Sequence, residues 1–157
     1  GRGMGKRVEI IARGVCVING HVLLCHTKSA ENTYLPGGHV EFEESARTAL
    51  EREINEEMGK DAVARRFLGV CEHTFIQKDK RHCEMNLVFE MDIPGLELAP
   101  TPSSLEDYIE FLWVRLENLR AAQLEPAPLC DLLASWLDAS FSEERFASTF
   151  VRDDEAL

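Results

Sequence analysis

Residues 36–60 read PGGHVEFEESARTALEREINEEMGK. The second half of this stretch predicts a helix, because alanine, leucine, glutamate and arginine dominate it and all are good helix formers. Ser45 is a suitable N-cap and Gly59 the usual stop. At about 100° per residue, Ala46, Ala49, Leu50, Ile54 and Met58 form one apolar stripe. With Glu53 taken as zero, Glu57 falls roughly 40° to one side and Glu56 roughly 60° to the other. Three carboxylates thus share the sector that the first two turns fill with small apolar residues. The solvated side is expected near Glu51, Arg52 and Asn55. Like charges at i,i+3 and i,i+4 repel, and burying them unpaired costs more. A solvated acidic face is the ordinary account of such a run, but it fits poorly with acids that face inward. A hard divalent cation resolves the conflict, since Mg2+ and Mn2+ take carboxylate and carbonyl oxygens.

The spacing Gly38-x5-Glu44-x7-Arg52-Glu53-Ile54-Asn55-Glu56-Glu57-Met58-Gly59 resembles the Nudix box of the Nudix hydrolases. All the fixed Gly, Glu and Arg positions are filled. Lys60 departs from the pattern, standing where an apolar residue is usual. The resemblance implies an α/β fold, a Nudix-like α/β/α sandwich with a mixed β-sheet. It also implies hydrolysis of a nucleoside diphosphate linked to a further group, with Mg2+ or Mn2+ as cofactor. By the same resemblance Glu53, Glu56 and Glu57 are metal ligands, and the Gly37 carbonyl completes the shell. Glu53 is also a candidate general base, although family members differ in where the base lies. Arg52 is expected to orient a carboxylate bidentately, with Glu44 as its partner behind the ligands. An ordinary ion pair is the alternative for these two. Glu106 is the best candidate outside the box, because Nudix proteins often carry an extra acid in the corresponding loop; Glu110 is a weaker rival. His39, inside the box loop, reads as structural rather than phosphate-binding.

Length and composition bound the rest. The 157 residues suggest one domain, over residues 4–140, followed by a tail at 141–157 that is either packed or frayed. The chain is 45% hydrophobic and 29% charged, enough for a real core in a globular protein. No apolar run reaches membrane-span length and no secretory signal is visible. The net charge of −11, without a basic stripe, argues against nucleic-acid and membrane-surface binding. Five cysteines without a CxxC read as reduced thiols of a cytoplasmic protein. Their spacing to His26, His73 and His82 matches no standard zinc pattern. A homodimer stays open.

Residues 8–18 (VEIIARGVCVI) predict a strand bent at Gly14, and Asn19-Gly20 a hairpin turn into a second strand, 21–26. Residues 27–33 read as a loop. Residues 62–77 and 82–93 predict a second hairpin around the charged turn 77–81. The proline-rich segment 94–104 is a loop, 108–114 a strand, 117–123 a helical turn and 126–139 an amphipathic helix. Strands, a crossing helix, more strands and a last helix together imply an α/β domain with a mixed sheet covered on both faces.

A nucleobase needs a stacking surface, and Tyr34, Phe75, Phe89 and Trp113 are eligible, though each residue type is more often core. Lys28 and the basic turn at 78–82 are candidates for distal phosphates, with a solvated turn as the default. The expected partner is a small nucleotide derivative. Family markers of the ADP-ribose, dinucleoside polyphosphate and NADH types are not found, which leans toward nucleoside triphosphates. A nucleotide-sugar or ADP-ribose pyrophosphatase is the alternative. A Nudix-like module that binds a nucleotide without hydrolysing it is the reading from a different class.

Overall fold

The structure, a computed structural model, describes residues 6–138, 140 and 145–150. β1 (Glu9–Val15), β2 (Val17–Ile18), β3 (His21–Thr27), β4 (Thr33–Tyr34) and β5 (Gly37–His39) precede α1 (Ala46–Met58). β6 (Val63–Gln77), β7 (Lys80–Asp92), β8 (Ile109–Arg115), α2 (Leu129–Leu137) and β9 (Phe146–Ser148) follow. The α/β sandwich is present, with its strands shared between two sheets. The larger sheet runs β5-β1-β7-β6-β9 and is mixed, with β1 parallel to β7 and β9 parallel to β6. In the smaller sheet β3 pairs with β8 along its whole length and with β2 and β4 in short pieces.

The first predicted strand is interrupted at Cys16 rather than bent at Gly14. There the chain changes sheets: β1 pairs with β5 and β7, whereas β2 pairs with β3. The Asn19-Gly20 turn has φ of 47° and 76°, and the Lys78-Asp79 turn 51° and 62°. Positive φ at both central residues matches the right-handed twist of flanking strands, which fixes both hairpins. α2 is shorter than the predicted 126–139, since Pro128 sits at its N-cap and Asp138 is already extended. Of the expected tail, Phe146–Ser148 pairs in parallel with β6; residues 141–144 and 151–157 lie outside the described residues. No helix among the described residues is long and apolar enough to cross a membrane.

Two apolar clusters lie on opposite faces. α1 contributes Ala49, Leu50, Ile54 and Met58 to the first, against Ala12, Leu23, Cys25 and Phe89. α2 contributes Leu129, Leu133 and Trp136 to the second, against Val15, Val22, Leu24 and Val88. Successive β3 residues therefore bury on alternate faces. That is why Val22-Leu23-Leu24-Cys25 is a continuous apolar run rather than an alternating one.

Candidate active site

α1 starts and stops where its residue types dictate. Ser45 Oγ accepts the Thr48 N–H at 3.1 Å, and Gly59 adopts φ 72° with its N–H on the Asn55 carbonyl. β5 then brings the glycines of the box against this helix. Gly37 has φ 146°, and a Cβ there would strike the Ala12 carbonyl; a Cβ on Gly38 would fall on the Glu53 carboxyl group. The close approach of backbone to carboxylate needs a residue without a side chain.

Arg52 organises the acids. Its Nε donates to Glu44 Oε2 at 2.7 Å and its Nη2 to Glu44 Oε1 at 3.0 Å, a bidentate pair. Nη2 also donates to the His39 carbonyl, and Nη1 to Glu53 Oε1 and Glu56 Oε1, each at 3.2 Å. Three features differ from the helical wheel. Arg52 is not on a solvated side, its side chain being only 27% exposed. Glu56 does not face inward: it is 53% exposed and reaches around to Arg52. The ideal wheel has no side-chain length in it, so it misses a long arginine folding back across the carboxylates. Glu51 likewise turns in and accepts the Ala64 N–H at 2.9 Å.

Glu57 is buried, and burial together with Glu53, Glu106 and Glu56 pushes its carboxyl up to about 8 against a downward pull from Arg13. Burial also raises Glu53, opposed by Arg52. Arg52 holds Glu44 below the usual carboxylate range. The loop after the prolines is stitched to the end of α1. Leu105 N–H donates to the Glu57 carbonyl at 2.7 Å, and Ser104 Oγ accepts the Glu106 N–H at 3.0 Å. Glu106 is thereby brought into electrostatic contact with Glu57, and its carboxylate pushes the Tyr108 phenol up to about 12.

All donors in this cluster are carboxylate oxygens, and one is buried against others of like charge. That donor set fits a hard divalent cation. Among the described residues no three acidic, histidine or cysteine side chains already stand at metal-ligand spacing, and Glu53 and Glu56 are instead shared with Arg52. Glu110, the rival acid, points elsewhere and bonds His26 Nδ1 at 2.8 Å.

Beside the cluster lies a cleft of about 480 Å³ whose lining includes Arg13, Thr27, Tyr34, His73, Phe75 and Glu84. Phe75 stacks with His73 and with His82, ring centroids 4.9 Å apart in each pair. His82 Nδ1 and His39 Nε2 both meet the Glu9 carboxylate, at 2.9 and 2.7 Å. Tyr34 and Phe75 are thus brought together. Lys28 is exposed and does not line the cleft; its N–H bonds the Tyr108 carbonyl. Phe89 is buried core, and Trp113 packs against the same cluster. Arg13 escaped the sequence reading. Its signal was a lone cation inside an apolar strand, but nothing local says where such a side chain ends.

A profile of the NUDIX domain matches residues 9–132. No curated protein matches the chain. Solved structures share its fold. The solution structure of the Escherichia coli ORF135 protein is 20% identical, with TM-score 0.65 over 91% of this chain and 100% of that one. The MutT protein of Methanosarcina mazei Go1 is 25% identical, with TM-score 0.62 over 85% and 96%. An ADP-ribose pyrophosphatase of Streptococcus suis 89-1591 is 18% identical, with TM-score 0.56 over 90% and 99%. With Gly38 of the box seated on the Glu53 carboxyl group and the profile covering residues 9–132, the chain belongs to the Nudix family.

Proposed function

We propose that the protein hydrolyses a diphosphate bond in a nucleoside diphosphate linked to a further group, with nucleoside triphosphates as the leading substrate class. The observation that carries this reading is the cluster of Glu53, Glu56, Glu57 and Glu106 beside a cleft that holds Tyr34 and Phe75. Acids alone would repel a diphosphate. Glu53, Glu56 and Glu57, with the Gly37 carbonyl, are the groups that would hold Mg2+ or Mn2+, which when bound neutralises phosphate charge and lowers the pKa of bound water.

The chain's own residues supply the rest. Arg52 fixes Glu53 through Oε1 and leaves Oε2 without a hydrogen bond among the described residues, free to accept a proton from an attacking water. Glu44 locks Arg52 from behind, so the carboxylate is aimed before substrate arrives. Glu106, tied to α1 through the Ser104–Leu105 segment, is the second acceptor within the cluster. Tyr34 and the face of Phe75 offer a surface for a base.

The test is phosphate release from a panel of nucleoside triphosphates, nucleotide sugars and ADP-ribose, read after adding a phosphatase. Turnover is expected with Mg2+ or Mn2+, fastest on a triphosphate, and abolished by EDTA. Undiminished turnover in chelated, metal-free protein overturns the mechanism. Faster release from ADP-ribose or a nucleotide sugar moves the substrate class, and no hydrolysis of any member supports a binding module instead.

A further inference from the structure

Arg13 is the inward cation that the proposed chemistry leaves unused. It stands in β1 opposite Gly37 and Val88, flanked by Ala12, Gly14 and Val15. Its guanidinium is fixed at two points: Nε donates to Asn86 Oδ1 at 3.2 Å and Nη1 to the Leu35 carbonyl at 3.0 Å. Asn86 is itself completely buried and anchored, giving Nδ2 to the Cys71 carbonyl at 3.2 Å and to Glu84 Oε1 at 3.4 Å. The guanidinium carbon lies 5.6 Å from the Tyr34 ring centroid. An arginine so held spends little further entropy when it binds an anion.

The chain carries 28 acidic residues against 17 lysines and arginines, so a carboxylate partner would be easy to supply. Among the described residues Arg13 has none within ion-pair distance, although Glu84 and Glu125 line the same cleft. Both partners of its guanidinium are neutral oxygens, and Nη2 has no hydrogen bond among the described residues. A half-buried charge left without a counter-charge is costly. Its position is also informative, because Arg13 lines the cleft while its charge is felt at Glu57, Tyr34 and His73.

We propose that Arg13 is a preset phosphate clamp: with a base in the cleft against Tyr34 and Phe75, it receives the phosphate nearest the sugar. It thereby sets the register of the diphosphate against the carboxylates of α1. The inference rests on the nucleotide reading of the cleft, and it makes Arg13 a positioning residue for substrate. An anion on Nη2 also completes the pairing that the fold omits.

Calorimetric titration of the full chain in EDTA tests it, because no metal then contributes to phosphate binding. The ligands are the four common nucleosides and their 5′-monophosphates at fixed ionic strength. At least one monophosphate is expected to bind about tenfold more tightly than its nucleoside, the size of one charge-assisted contact. Arg13→Met should cut that advantage below about twofold, with nucleoside affinity kept, and Arg13→Lys should restore part of it, as a charge without the fork. Equal affinity of wild type for nucleoside and monophosphate, or no monophosphate binding at millimolar concentration, overturns the inference without any variant. Arg13→Met weakening nucleoside and monophosphate alike makes the residue a wall of the cleft and overturns it too. Metal-dependent hydrolysis that persists without phosphate selectivity sinks the clamp alone. Selectivity without hydrolysis sinks the enzymatic reading alone.

Discussion

Along α1, Arg52 reaches Glu53 and Glu56, one and four residues away. In the cleft, Arg13 reaches Asn86 from 73 residues away. The first network is set by helical geometry and one capping segment. The second exists only once β1 lies parallel to β7 in a single register, Arg13 opposite Val88. Each half of the proposed site therefore draws its precision from a different source. The helix half is local and dense in charge. The cleft half is assembled by the sheet, and its cation has no acid within ion-pair distance among the described residues. Changes on the helix should therefore strike kcat, and changes in the cleft should strike binding.

The largest effect is expected from Glu53→Gln, which keeps shape but removes a ligand charge and a proton acceptor. We expect kcat to fall by roughly 10²–10⁴, the span of general acid–base groups, with the circular dichroism spectrum and melting temperature close to wild type. A loss below about fivefold at saturating Mg2+ would show that the helix half does not carry the chemistry.

Gly38→Ala comes next and probes the same half without touching a charge. The new methyl falls on the Glu53 carboxyl group. A displacement of about 1 Å in a catalytic group can cost on the order of 10² in rate, so kcat should drop by about that factor while nucleotide affinity stays. If kcat is unchanged, Glu53 is not held by its contact with Gly38.

These two changes sit where the sequence was most legible. Ser45, Gly59 and the bounds of α1 follow from propensity and capping within a few residues. The Glu44–Arg52 pairing was implied by the resemblance to the box, and its bidentate geometry is present. Legibility failed in two ways. Glu56 lies outside because Arg52 folds back over it, a matter of side-chain reach that a wheel of Cα positions lacks. Arg13 was missed because strand register, not neighbouring sequence, brings it to Tyr34, and His82, read only as part of the basic turn, meets Phe75 because β6 pairs with β7. The interruption at Cys16 was misread for a related reason: whether a β-rich run keeps one sheet or passes to a second depends on partners far along the chain.

Phe75→Ala sharpens the contrast from the other side. Stacking of a base on an aromatic ring is worth about 1–3 kcal/mol. We expect KM for the best substrate of the panel to rise about tenfold, within that range, with kcat changed less than twofold. Equal losses in kcat and kcat/KM would mean that the ring acts only in the transition state, and the division between the halves would fail.

The smallest effect is thermodynamic and concerns Glu57. Its carboxyl is raised to about 8 in the folded protein, chiefly by burial and then by Glu53, from an ordinary value of 4.5. The folded state therefore holds a proton that the unfolded chain gives up between those two values. Stability associated with this group is fully present below 4.5 and is lost as pH rises through about 8. Glu57→Gln carries the neutral form at every pH, so in EDTA its advantage over wild type should be absent near the lower value, grow across the window and level off above it. Taking the difference between variant and wild type removes the opposite trend from Glu44, whose carboxyl Arg52 holds low. In a chain of this length each kcal/mol is worth roughly 2–4 °C in Tm, so a shift of several degrees above pH 8 is readable. With Mg2+ present the order should reverse, since a bound cation stabilises wild type by mass action, about 2.7 kcal/mol at a hundred times Kd. Thermal scans at pH 5, 7 and 9, each with EDTA and with Mg2+, decide the matter. If Glu57→Gln melts below wild type in EDTA at every pH, the carboxylate is a structural partner, and the acidic face of α1 is not strained in the absence of metal.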